Sequence, residues 1–89
     1  MSEVVLYTAP GCHLCDRARS ELDALAAELG FVLREVDISV DAALERAHRR
    51  WIPVVELDGE RLSVYRVDAA ALRARLERSG DSERHKPAL

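Results

Sequence analysis

The stretch Glu3-Val4-Val5-Leu6-Tyr7-Thr8-Ala9-Pro10-Gly11-Cys12-His13-Leu14-Cys15 decides the reading of this chain. Its first six residues are apolar and partly β-branched, and they stop at Ala9-Pro10-Gly11, which spells a buried strand closed by a turn. A helix follows. Leu14, Ala18, Leu22, Leu25 and Leu29 recur at steps of four, four, three and four, so they share one face, and Arg17, Arg19, Glu21, Asp23 and Glu28 fill most of the remainder. Gly30 stands where a helix C-terminus takes up the left-handed conformation. The two cysteines therefore fall where the turn becomes the helix.

Outward from this unit, Phe31 to Ile38 reads as a second strand, parallel to the first because a crossover helix joins them. Ser39 or Asp41 can cap a helix that begins near Ala42, whose apolar face is Ala43, Leu44, Ala47 and Trp51, and which ends before Pro53. Val54 to Leu57 and Arg61 to Val64 flank Asp58-Gly59-Glu60, and Asp-Gly between apolar runs is the usual sign of a β-hairpin. Asp68 caps a last helix through Ala71, Leu72 and Leu76, which ends about Ser79-Gly80. The order β-α-β-α-β-β-α makes an α/β protein, a four-stranded mixed sheet covered by helices. Residues 1–78 form one domain, and the polar residues 79–89 are expected to be a flexible tail.

Composition sets the outer limits. A chain of 89 residues is one domain, since single cores run to roughly 100 to 200 residues. With 48% hydrophobic and 33% charged residues it has the balance of a globular protein. The formal charge of -3 gives no global positive field to draw in nucleic acid or anionic lipid. Twelve of the thirteen basic residues are Arg and thirteen residues are Ala, a bias from which no function is taken. No apolar run approaches the roughly 20 residues of a membrane span. The N-terminus has no basic stretch leading into an apolar segment, so a cytoplasmic location is expected. Nothing demands a dimer, and a monomer is the expectation.

The chemistry resides in Cys12-His13-Leu14-Cys15. A thiol at a helix N-terminus faces unpaired N–H groups and the positive end of the macrodipole, which favour thiolate over thiol. Cys12 is thus the expected nucleophile. Cys15, within one helical turn and on the same side, can reach the Cys12 sulfur to resolve a mixed disulfide. A protonated His13 would stabilise the thiolate and make the pair more oxidising, with Asp16 opposing and Arg17 assisting. Other uses of the pair compete. As a staple it closes a loop too short to contribute more than about 2 kcal/mol. Two inert core cysteines are a further alternative, against which their place on a turn beside Pro10-Gly11 argues. Zinc needs four ligands, and His48 and His85 are far away in the chain; no metal site is expected.

With Tyr7-Thr8-Ala9-Pro10-Gly11-Cys12-His13-Leu14-Cys15 and with Ile52-Pro53 ahead of a hairpin, residues 3 to 78 resemble the glutaredoxin-like branch of the thioredoxin-fold superfamily. The likeness is greatest to small bacterial glutaredoxin-like proteins with a Gly-Cys-His-Leu-Cys turn. It implies a thioredoxin-like fold with helices on both faces of the sheet and a redox-active disulfide in a dithiol thiol–disulfide oxidoreductase. Cys12 would be the attacking and Cys15 the resolving thiol, with no metal or organic cofactor. It also implies a cis-Pro53 facing the cysteines, with Ile52 offering its N–H and C=O to an extended substrate.

Glutaredoxins commonly carry Lys before the active-site Pro, Tyr before the second Cys, and a Gly-Gly-x-Asp-Asp segment that holds glutathione. Here Ala9, Leu14 and Ser63-Val64-Tyr65-Arg66-Val67 stand in those places, which speaks against glutathione. Ser63 to Asp68 is more similar to the Ser-Gly-Phe-Arg-Pro-Asp segment of redoxins reduced by thioredoxin reductase. The expected partners are a disulfide-bearing protein or small thiol and a reductase of that kind, and His13, Ile52, Pro53, Tyr65 and Arg66 are the expected substrate contacts. A metal-binding module, with zinc or a shared iron-sulfur cluster, and a non-catalytic adaptor binding at Ile52-Pro53 are the alternatives. Trp51 is expected to pack, His48 to lie on the surface, and Arg73, Arg75 and Arg78 to form a solvated face.

Overall fold

Successive side chains of a strand point to opposite faces of its sheet, and the first strand alternates accordingly. In β1 (Glu3–Thr8), Val4, Leu6 and Thr8 are buried on one face while Val5 and Tyr7 are half-buried on the other. The computed structural model describes residues 2–77. After β1 come α1 (His13–Leu29), β2 (Val32–Asp37), a 3-10 turn (Ile38–Val40), α2 (Ala42–His48), β3 (Val54–Leu57), β4 (Glu60–Val64) and α3 (residues 69–77). The four strands form one sheet in the order β2-β1-β3-β4, with β1 parallel to β2 and antiparallel to β3, and β3 antiparallel to β4. This is the α/β thioredoxin-like fold, a mixed sheet with three helices. The expected tail, residues 79–89, lies outside the described residues.

The core lies on the Val4/Leu6 side. Ala18, Leu22 and Leu25 of α1 and Leu72 of α3 pack there against β1, Val55 and Leu57 of β3, and Phe31. Leu22 is fully buried, so Leu22→Ala would remove about 2–5 kcal/mol through lost transfer energy and the cavity left behind. Local signals bound each helix. Gly30 takes φ 81° and returns its N–H to Ala26 O at 2.9 Å. Asp41 accepts the N–H groups of Ala43 and Leu44, and Asp68 accepts that of Ala71. Asp58 and Gly59 both have positive φ, 49° and 87°, the primed turn that suits a two-residue hairpin.

Several expectations need correction. Ser39 does not cap α2; its N–H bonds to Asp37 inside the 3-10 turn, which periodicity does not reveal. The apolar face expected for α2 is not buried: Ala43 and Ala47 are exposed and Leu44 is half-buried. The helix ends at His48, and the residue it buries is His48 itself, 8% exposed. Tyr7, on the face of β1 turned away from α1, offers it a ring, and the two stack with centroids 4.1 Å apart. His48 is therefore a core residue of the second face, which places α2 opposite α1. Trp51 lies beyond the helix and is 40% exposed. Leu14 is 50% exposed, because it borders a cavity instead of packing into the core. Arg73 and Arg75 lie on a solvated face, where they pair with Glu28 and Glu60; Arg78 lies outside the described residues.

Candidate active site

The sheet register brings three segments to one end of the molecule. Tyr7 pairs with Val54 and Val54 with Val64. The turn that follows Thr8, the Ile52-Pro53 segment that precedes β3, and the Tyr65-Arg66 segment that follows β4 therefore leave the sheet side by side. Gly11, at φ 77°, turns the chain from β1 into α1. No atom crowds the position a Cβ would occupy there, so the glycine is needed for its backbone conformation alone.

Cys12 is the N-cap of α1, with extended backbone (φ -94°, ψ 108°). Its Sγ accepts the N–H of Cys15 at 3.2 Å and its carbonyl accepts the N–H of Asp16 at 3.2 Å. Cys12 and Cys15 are joined in a disulfide with Cα atoms 5.2 Å apart. The two differ in access. Cys15 is 1% exposed and Cys12 is half-buried, so an incoming sulfur meets Cys12. His13 is exposed at the first position of α1.

The Ile52–Pro53 peptide bond is cis, with Pro53 buried and Ile52 half-buried. Tyr65 holds this segment. Its N–H donates to Pro53 O at 2.8 Å and, more weakly, to Trp51 O at 3.3 Å, while its hydroxyl donates to Arg50 O at 3.0 Å. Its ring lies tilted against Trp51, centroids 6.0 Å apart. Tyr65 does this at φ 70°, a left-handed conformation that costs a bulky residue about 1–2 kcal/mol. Among the described residues the N–H and C=O of Ile52 make no hydrogen bond.

Contacts invisible in the sequence support the site from below. Glu35 of β2 accepts both Nε and Nη2 of Arg19, and the buried Thr8 hydroxyl at 3.2 Å; Arg19 Nη1 reaches Asp16 at 3.1 Å. These bonds hold the Glu35 carboxyl below the usual range, the Arg19 guanidinium contributing most. On the other face Tyr7 donates to Glu56 at 3.2 Å, and Arg61 lies 3.4 Å from His48 Nδ1. Burial first, then the Glu56 charge, raises the Tyr7 phenol above its ordinary value. Leu14 and Arg17 of α1 face Tyr65 and Arg66 across a small cavity; Tyr65 and Arg66 are expected near the cysteines from the sequence, whereas nothing in it sets Arg17 across from them. Among the described residues no group of three or more His, Cys, Asp or Glu side chains could hold a metal.

A thioredoxin-like fold that presents a Cys12–Cys15 disulfide at the N-terminus of its first helix supports a thiol–disulfide redox role. The model of the glutaredoxin-like domain family (DUF836) matches residues 3–77, and the chain belongs to that family. It is 38% identical to the uncharacterized protein Rv0508 of Mycobacterium tuberculosis and to its counterpart Mb0520 of Mycobacterium bovis, over 82 aligned residues covering 86% of this chain and 84% of theirs. Among solved structures it is similar to protein Ne2328 of Nitrosomonas europaea, with TM-score 0.74 and 26% identity over 83% of this chain and 89% of that one. Thioredoxin of Fasciola hepatica shares the fold, with TM-score 0.63 and 23% identity over 86% and 79% of the two chains. Among the described residues no helix is long and apolar enough to cross a membrane.

Proposed function

We propose that the protein is a dithiol thiol–disulfide oxidoreductase. The observation that carries this reading is the unequal access of the bonded pair, with Cys12 reachable at the helix N-cap and Cys15 buried one turn behind it. In the reduced protein the Cys12 thiolate attacks one sulfur of the substrate disulfide, forming a mixed disulfide and expelling the other sulfur as thiolate. The Cys15 thiolate then attacks the Cys12 sulfur, which releases the second substrate thiolate and leaves the Cys12–Cys15 bridge. Two electrons pass to the substrate, and an external dithiol reductant restores the pair.

The N–H donated by Cys15 to Cys12 Sγ stabilises negative charge on that sulfur, as the helix N-terminus does. The unpaired N–H and C=O of Ile52 support capture of the substrate as an extended strand, beside His13, Pro53, Tyr65 and Arg66. No metal or organic cofactor takes part in these steps. Side chains stand where a glutathione-binding segment would have glycines, which favours a thioredoxin-reductase-like reductant. The test is turnover of a disulfide substrate by the wild type, Cys12→Ser and Cys15→Ser. Loss of turnover in Cys12→Ser and accumulation of mixed disulfide on Cys12 in Cys15→Ser are expected; full activity of Cys12→Ser would overturn the reading.

A further inference from the structure

Beside the cysteines, a cavity of about 240 Å³ opens between α1 and the segment that follows β4. Leu14 forms its near wall, and Leu14 lies between the two cysteines in the chain, so the cavity adjoins the redox turn. Ala18 and Val67 give it an apolar floor. Its charges are unevenly placed. Arg17 and Arg66 line it, and neither lies within salt-bridge distance of a carboxylate among the described residues. The nearby acids are engaged elsewhere: Asp16 with Arg19, Asp68 with the N–H of Ala71. Glu21 also lines the cavity. It lies one turn beyond Arg17 on the same face of α1, about 6 Å along the helix axis, and bounds the cavity on that side.

Two guanidiniums without a carboxylate partner, on a cavity whose wall includes Leu14 of the redox turn, in a chain of formal charge -3, form a local site for a negative group. From this, and resting on the redox reading above, we infer that the cavity is a carboxylate-binding subsite that selects polypeptide disulfides carrying an Asp or Glu beside the cystine. Guanidinium pairs with carboxylate in a directed, two-pronged geometry. Glu21 limits the fit to one carboxylate, because a longer acidic run would meet its charge. A polypeptide is the better occupant. Trp51 and Tyr65, 40% and 46% exposed, extend the apolar rim beyond the reach of a small thiol, and Ile52 offers main-chain pairing along an extended segment.

The experiment uses three peptides, each with one internal disulfide, identical save for Asp, Asn or Lys beside one cysteine. Reduction by the reduced full-length protein is followed in a single turnover, at low and high salt. The Asp peptide should react about fivefold faster than the Asn peptide at low salt, with Lys slowest, a spread that two partly solvated ion pairs can supply. High salt should draw the ratios toward one. In R17Q/R66Q, with its fold checked by circular dichroism, the Asp-to-Asn ratio should also fall toward one, while R17K/R66K should retain part of it. Equal rates for Asp and Asn in the wild type, or a ratio unchanged in R17Q/R66Q, would overturn the subsite. An arginine-dependent preference for oxidised glutathione over all three peptides would overturn the polypeptide assignment. Reduction of the Asn peptide reports the redox reading by itself; if no peptide is reduced, that reading falls and the subsite with it.

Discussion

The main-chain N–H of Tyr65 donates to the carbonyl of Pro53 at 2.8 Å, so the residue that ends the hairpin also fixes the segment that begins it. The Tyr65 hydroxyl reaches the carbonyl of Arg50, three residues upstream of Pro53, so one residue, through its main chain and its side chain, spans the whole segment from 50 to 53. Tyr65→Phe removes the hydroxyl bond, which is exposed and contributes about 0.5 kcal/mol or slightly more. The expected outcome is a severalfold rise in KM for a polypeptide disulfide, with the alkylation rate of Cys12 and the Tm little changed. Tyr65→Gly relieves the positive φ but loses the ring, so its KM should rise further without a matching loss of stability. A purely structural Tyr65 would instead lower the Tm in step with activity, which a parallel thermal melt checks.

Access to the two cysteines predicts their chemistry after reduction. Cys12 is half-buried at the helix cap and Cys15 is 1% exposed. Iodoacetamide should therefore label Cys12 at least about tenfold faster than Cys15, since reactivity requires both thiolate character and exposure. Peptide mapping of the singly alkylated protein measures the ratio. His13, exposed beside Cys12, adds a second expectation: His13→Ala should make the pair less oxidising, read as a lower reduction potential in a redox-buffer titration.

Features carried by local pattern were legible in the sequence. The apolar run before Ala9-Pro10-Gly11, the step pattern of α1, the left-handed Gly30, the Asp58-Gly59 turn and the Asp68 cap are each decided by residues a few positions apart. What periodicity could not supply was tertiary. His48 ends a short helix whose expected apolar face is not the one it buries, and its burial depends on Tyr7 being turned toward it from a strand 41 positions upstream. Leu14 fits the helical series, yet it is 50% exposed and borders a cavity instead of packing into the core. The link from Thr8 and Arg19 to Glu35 spans 27 and 16 residues and joins three elements. Arg17 reads as one charge among many until the fold sets it across from Arg66.

Gly30 gives a test of backbone conformation without steric interference. It sits at φ 81°, and nothing lies within 4 Å of the position a Cβ would take. Gly30→Ala should therefore cost about 1–2 kcal/mol through the left-handed conformation alone, and Gly30→Asn less, because Asn tolerates that region better. Urea unfolding with an unchanged slope and a lowered midpoint is the expected result. Clashes would make the larger Asn the worse of the two, contrary to this account.

Burial gives His48 a defined pH signature. It pushes the imidazole below its ordinary value of 6.5, with Arg61 assisting and Glu56 opposing. Because the folded value lies below the unfolded one, the unfolded chain takes up more protons as pH falls through 6.5. The stabilisation from neutral His48 is then whole above that pH and is lost progressively below it, until the folded value is passed. Glu28, Glu35 and Asp37 are held below their ordinary values by Arg73, Arg19 and Ser39 respectively. Their contributions are lost only at lower pH, as it falls through those depressed values. Unfolding free energy measured between about pH 5 and 6.5 should thus slope upward with pH in the wild type. His48→Phe keeps an aromatic ring against Tyr7 and should flatten that slope, whatever its effect on absolute stability. A slope unchanged in His48→Phe would assign the titration to another group.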